Sequence, residues 1–153
     1  MAPPEVWGPP IWTFFHTMAE KINEKYYIQL RKSMFMIIKM ICKSLPCPKC
    51  AFEASNYLDR LNIEHYKTKT EFKNMLYLMH NWVNKKKKKP LFNYENINKY
   101  SELNIYLAFN NFVRVYHTRG NMSLIADSFR RGMTVRDVKK WVKMNGRAFN
   151  SKN

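Results

Sequence analysis

Apolar residues along this chain recur at intervals of three and four rather than two, the pattern of amphipathic helices and not of strands. Trp12, Phe15, Ala19 and Ile22 form one such stripe and predict a helix from Ile11 to about Lys25. Pro9 and Pro10 are expected in its first turn, where a missing N–H costs nothing. A second helix is predicted from about Tyr26 to Cys42, with Ile28, Leu30, Met34, Phe35, Ile37, Ile38 and Ile41 as a broad buried face. Ser44 to Pro46 breaks it, and Pro48 opens a third helix through Ala51, Ala54, Tyr57, Leu58 and Leu61, with Cys47 in its N-cap region. Phe72, Met75, Leu76, Met79, His80 and Val83 predict a fourth, capped by Thr70 with Lys73 and ended by Pro90.

Leu91 to Tyr100 is asparagine-rich and suits a turn with one small helix. Leu103 to His117 is predicted helical, with Leu103, Leu107, Phe109, Phe112, Val113 and Tyr116 on its apolar side and Gly120 as a stop. Thr134 followed by Asp137 has the form of a capping box and is expected to open a last, basic helix ending near Gly146. With only four glycines, at 8, 120, 132 and 146, there is no Gly-rich phosphate loop and no hairpin-rich β fold. The fold class is therefore all-α, without internal repeats or a flexible linker. At 153 residues the chain is one domain long, and 46% hydrophobic content excludes disorder. Its longest apolar run, Met34 to Cys42, contains Lys39 and falls short of the roughly 20 residues of a membrane span. The first ten residues resemble neither a signal peptide nor a transit peptide, so the protein is expected to stay where it is made.

The formal net charge of +16 is compatible with nucleic acid, anionic membrane or acidic proteins as partners, and does not choose among them. Three cysteines, Cys42, Cys47 and Cys50, are too few and too close together for a secreted disulfide framework and read as a local chemical device. An abundance of Lys, Asn, Ile, Tyr and Phe, which have A/T-rich codons, points to an A/T-rich genome.

Cys47-Pro48-Lys49-Cys50 is a CxxC motif at a helix start, where the partial positive charge of the helix end stabilises a thiolate. Two cysteines one turn apart can alternate between dithiol and disulfide with little backbone motion. The alternatives are two inert cysteines or half of a zinc site completed by Cys42 and one of His16, His65, His80 and His117. Two other clusters accompany the motif. Gly8, Trp12 and His16 share one helix face, a surface able to hold a planar heterocycle or simply part of the core. His80 and Asn84 share another face, upstream of the lysine run 85–89, which could meet phosphates or be solvated surface.

Together, WGPPIWTFFHTM, LPCPKC and HNWVNKKKKKP, in this order and register, resemble the Erv/ALR family of FAD-dependent sulfhydryl oxidases over roughly residues 5 to 100. The resemblance implies a four-helix bundle with FAD at one end of its core, a short fifth helix over it, additional C-terminal helices in this chain, and a homodimer. It implies a domain over residues 1–100, and the residues outside the resemblance, 101–153, read as a basic helical extension. It also implies catalysis by Cys47 and Cys50: Cys47 exchanges disulfides with the incoming dithiol and Cys50 passes electrons to the flavin, with O2 as acceptor and H2O2 as product. The implied FAD contacts are Gly8, Trp12, Thr13, His16, His80, Asn81, Val83, Asn84, Lys86 and Lys89. Trp12 would stack on the adenine, and Lys86 and Lys89 would lie near the ribose and pyrophosphate; no metal is implied.

No cysteine follows Cys50, so the shuttle pair and the second structural disulfide of many relatives are not encoded here, and electrons are expected to enter Cys47 directly. Cys42 is expected to pack in the core. This compactness most resembles the oxidases of large cytoplasmic DNA viruses, which implies dithiol protein substrates, thioredoxin-like or structural viral proteins, in the host-cell cytoplasm or the virion. Arg114, Arg119, Arg130, Arg131, Arg136, Lys139, Lys140, Lys143 and Arg147 make the extension basic. It reads either as a non-specific nucleic-acid arm or, by preference, as a helical pair with an apolar side at a dimer interface and a basic side in water. The competing function is a basic helical nucleic-acid-binding module whose CxxC is structural or zinc-bound.

Overall fold

The computed structural model describes residues 3–117 and 125–150, and those residues are predominantly helical, with no strand among them. Six α-helices follow in order: α1 (Pro4–Lys21), α2 (Glu24–Lys43), α3 (Pro48–Asp59), α4 (Lys69–Lys86), α5 (Ile105–Tyr116) and α6 (Ile125–Met144). Short 3-10 segments, Ile63–His65, Tyr94–Glu102 and Gly146–Phe149, lie between and after them. The expected stop at Gly120, like Arg119, lies outside the described residues.

Asparagine side chains start several of these elements. Asn23 accepts the Lys25 N–H at the head of α2, Asn93 that of Glu95, and Asn104 those of Tyr106 and Leu107 at 2.8 and 3.2 Å. Each occupies one of the donors a helix start leaves unpaired. The cap of α4 is Thr68, not Thr70: its Oγ1 accepts the Glu71 N–H at 3.1 Å and donates to the Glu71 carboxylate at 3.2 Å, two residues upstream of the expected pair.

Helix α1 is the axis of the fold and packs against α4, α5 and the Tyr94–Glu102 segment. It begins at Pro4, so Pro9 and Pro10 lie inside the helix rather than in its first turn. Burial of Trp7 and Ile11 carries the helix back through them. The apolar core is continuous: Phe14, Phe15 and Met18 of α1 meet Met34, Ile38 and Ile41 of α2, Leu58 of α3, Phe72 and Leu76 of α4, and Phe112 and Tyr116 of α5. Phe14 stacks on Phe112 with ring centroids 5.3 Å apart. Val138 and Val142 of α6 and Phe149 beyond it belong to the same core, and Asn23 N–H donates to Ala148 O at 2.7 Å, tying the last turn back to the α1–α2 junction.

Three expectations are corrected by this packing. Ile28 and Leu107 are 56% and 59% exposed, because the buried stripes of α2 and α5 are narrower than the runs of apolar residues suggest. Thr134 is a buried interior residue of α6, not its cap; the helix already runs from Ile125. Arg131, counted with the solvent-facing charges, is buried at 2% exposure. No described helix is long and apolar enough to cross a membrane.

Candidate functional site

A cavity of about 440 Å³ opens where α1, the end of α2, the start of α3, the last turns of α4 and the Tyr94–Glu102 segment converge. Gly8, Trp12 and Thr13 of α1 line it, as do His80, Val83, Asn84 and Lys86 of α4, Lys89 just after α4, and Cys50 of α3. His16, Asn81 and Cys47 do not line it. Trp7, Cys42, Glu53, Lys87, Phe92, Lys99 and Tyr100 do, though the sequence reading did not place them there. Trp7 could have been found from its position beside Gly8; Phe92 and Tyr100 follow Pro90 in a segment with no helical stripe to mark them.

The inner wall is a stack of rings. Trp12 lies on His80, with centroids 4.2 Å apart and planes 6° from parallel, and Phe92 packs against His80 at 5.0 Å. Behind them His16 and Tyr100 stack at 5.0 Å. His16 Nε2 and His80 Nδ1 share a hydrogen bond of 2.9 Å, so one ring donates and the other accepts. Both rings stay neutral: burial, with help from the charges of His80 and Lys99, lowers His16 to about 3, and burial with Lys89 lowers His80 to about 4. Asn81 sets the depth of this wall. Phe92 N–H donates to Asn81 Oδ1 at 2.6 Å and Asn81 Nδ2 donates to Phe92 O at 3.1 Å, a two-point clamp on the chain after Pro90.

The rim is cationic. Lys86, Lys87, Lys89 and Lys99 border the cavity against one carboxylate, Glu53, which pairs with Lys86 at 3.3 Å. The lysine run does not continue the helix to its end: α4 stops at Lys86, and Lys88 adopts φ 56, a left-handed geometry that usually falls to glycine at a helix C-terminus. Lys87, the C-cap of α4, reaches back toward α3, where its Nζ lies 3.9 Å from Cys50 Sγ and over the Trp7 ring at 5.7 Å.

Cys47 and Cys50 form a disulfide, with Cα atoms 5.2 Å apart. Cys47 is the N-cap of α3, and the Cys50 N–H donates to its Sγ at 3.2 Å. Of the two sulfur-bearing residues, Cys50 lies in the cavity wall and Cys47 outside it. Cys42, expected in the core, is 2% exposed, and burial pushes its thiol up to about 12. The described residues hold no group of three or more His, Cys, Asp or Glu placed to bind a metal ion, so the half zinc site has no complement among them.

These features define a class: an all-helical protein in which a CxxC disulfide forms part of the wall of an aromatic, lysine-rimmed cavity. The chain belongs to the Erv1/Alr family, whose profile matches residues 9–102. It is 27% identical over 88 residues to the protein of Invertebrate iridescent virus 3 designated FAD-linked sulfhydryl oxidase 096R, a match covering 57% of this chain and 60% of that one. It is 31% identical over 90 residues to FAD-linked sulfhydryl oxidase ERV1 of Arabidopsis thaliana, covering 59% of this chain and 47% of the relative. The matches thus span about half the length of these relatives. No solved structure matches the chain significantly.

Proposed function

We propose that the chain is an FAD-linked sulfhydryl oxidase, converting two protein thiols and O2 into a disulfide and H2O2. The observation that carries this reading is the position of Cys50, one wall of its disulfide facing a cavity built for a flat, anionic cofactor. The cavity fits FAD on three counts. A Cβ added at Gly8 would meet nothing within 4 Å, so the glycine leaves space open on the α1 side. Trp12, backed by His80, brings an aromatic ring to the cavity wall, and the rim lysines complement a pyrophosphate. In this reading Gly8, Trp12, Thr13, His80, Val83, Asn84, Lys86 and Lys89 contact the cofactor. His16 and Asn81 act one layer behind, fixing His80 and Phe92.

When bound, FAD would supply the two-electron acceptor that O2 regenerates. The protein's own steps are thiol chemistry. A substrate thiolate attacks Cys47 Sγ, the Cys47–Cys50 bond breaks, and Cys50 leaves as a thiolate with the bonding electron pair. A second substrate thiolate then displaces Cys47, leaving an oxidised substrate and the reduced pair. The position of Cys47 outside the cavity leaves it accessible to a dithiol without displacing the cofactor.

Likeness to the iridescent virus protein supports a viral oxidase; we propose thioredoxin-like or structural viral proteins as its dithiol substrates, in the host cytoplasm or the virion. We place the thiol and flavin chemistry in residues 1–100, with 101–153 as the basic extension that buttresses α1 and α2. A homodimer is part of this reading, with Ile28 and Met36 of α2 as exposed apolar surface. The decisive experiment measures O2 consumption and H2O2 release with dithiothreitol. Wild type is expected to turn over, and Cys50→Ser to keep FAD and lose turnover; a Cys50→Ser protein that still oxidises dithiols overturns the scheme.

A further inference from the structure

The motif's two sulfurs are unequally placed with respect to charge. Lys87 Nζ lies 3.9 Å from Cys50 Sγ, whereas the neighbour that polarises Cys47 is the uncharged Cys50 N–H at 3.2 Å. The placement of Lys87 is built into the backbone: its N–H donates to Val83 O at 3.0 Å, the Lys88 N–H to Lys85 O at 3.2 Å, and Lys88 turns left-handed directly after it. All five lysines of the run 85–89 are exposed, and Lys87 is the one whose Nζ lies within 4 Å of Cys50 Sγ. Other charges around the ammonium come from α1, α3 and the end of α4. Burial and then Lys89 hold its pKa below the usual lysine value, against the opposing pull of Glu5 and Glu53, and Glu53 is itself engaged by Lys86 at 3.3 Å.

We propose that Lys87 is a thiolate-holding residue: its ammonium stabilises Cys50 as the leaving group when the disulfide opens, and so directs the attacking thiolate to Cys47. The inference rests on the oxidase reading for its context, and it adds a residue that decides which sulfur is attacked. In thiol–disulfide exchange the sulfur whose thiolate is more stable leaves faster. A cation about 4 to 6 Å from an acid lowers its pKa by about one to three. The charge balances without any other group: the attacking thiolate's negative charge ends on Cys50 beside Lys87, the new bond is substrate sulfur to Cys47 Sγ, and no proton moves.

The test uses the full chain, reduced and freed of reductant without air. Iodoacetamide labelling of Cys50 is followed over a pH series, and mass spectrometry of the peptides reads Cys50 separately from Cys47 and Cys42. Lys87→Met is expected to raise the inflection for Cys50 by about one pH unit, Lys87→Arg to preserve it, and Lys88→Met, a change in the same run, to move it far less. A Lys87→Met profile that superimposes on wild type overturns the proposal, and so does a Lys88→Met shift equal to that of Lys87→Met, which would mean a general basic field. Lys87→Gln gives the same reading if the Met variant does not fold. Because the labelling needs no flavin, a protein that never binds FAD sinks the oxidase reading alone, and an unchanged profile in a flavin-retaining variant sinks this one alone.

Discussion

Cys42 and Cys50 border the same cavity, and their surroundings give them opposite chemistry. Cys42 sits at the C-terminal end of α2, where the helix dipole disfavours a negative charge, and burial to 2% exposure holds its thiol near 12. Cys50 is the third residue of α3, at the positive end of that helix, half-buried, with an ammonium at 3.9 Å. Facing a cofactor cavity is therefore not what makes a cysteine reactive. The helix end that carries it and the charge beside it decide whether a thiolate exists at all.

The largest expected consequence is selective labelling of the reduced, native protein. A pKa raised from 9.0 to about 12 lowers the thiolate fraction of Cys42 at neutral pH about a thousandfold. Iodoacetamide should therefore modify Cys47 and Cys50 and reach Cys42 only after denaturation. Equal labelling of all three in the native state would erase the contrast.

Burial that silences Cys42 also keeps two histidines neutral, and that is expected to appear as acid sensitivity. His16 and His80 titrate near 3 and 4 when folded against 6.5 as the ordinary value, so the unfolded chain binds protons first as pH falls. Stability is full above about 6.5 and declines as pH drops toward 4, by an amount on the order of a few kcal/mol. Melting temperature against pH measures it, and a His16→Asn, His80→Gln protein should show a flatter decline.

Smaller effects sharpen the picture of the walls. Trp12→Ala removes the ring stacked on His80 and is expected to weaken flavin retention about tenfold, as read by flavin content after gel filtration. Unchanged content would remove Trp12 from the site. Tyr116→Phe deletes the 2.9 Å bond from the buried hydroxyl to Ile41 O, next to Cys42, and should cost about 1 kcal/mol in denaturant unfolding while making Cys42 easier to label.

The helical order and the reactive motif were legible because they are local. Pro48 and Cys47 mark the start of α3 through backbone chemistry that any context would respect. Trp12 and His80, far apart in sequence, were suspected only through their shared pattern, and the 4.2 Å stack needed the fold. The lysine run hid its own division of labour: five identical residues give no periodicity, and the approach of Lys87 to Cys50 is a contact between α3 and the end of α4 that needs the fold. Arg131 was misread because its charge was assumed to seek water, while the core of α6 buries it. Phe92, in the irregular chain after Pro90, and Tyr100, in the 3-10 segment beyond it, were invisible because neither stretch carries a helical stripe, and the Asn81 clamp that sets Phe92 joins two separate elements.

The pairing of a reactive disulfide with a flavin cavity is tested most directly by the visible absorbance of the purified, dialysed protein. A bound flavin spectrum is expected, bleaching when dithiothreitol is added without air and returning with oxygen, and Cys50→Ser should bind flavin that no longer bleaches. A folded, colourless protein that takes up no FAD, or a flavin that bleaches equally well without Cys50, would contradict it.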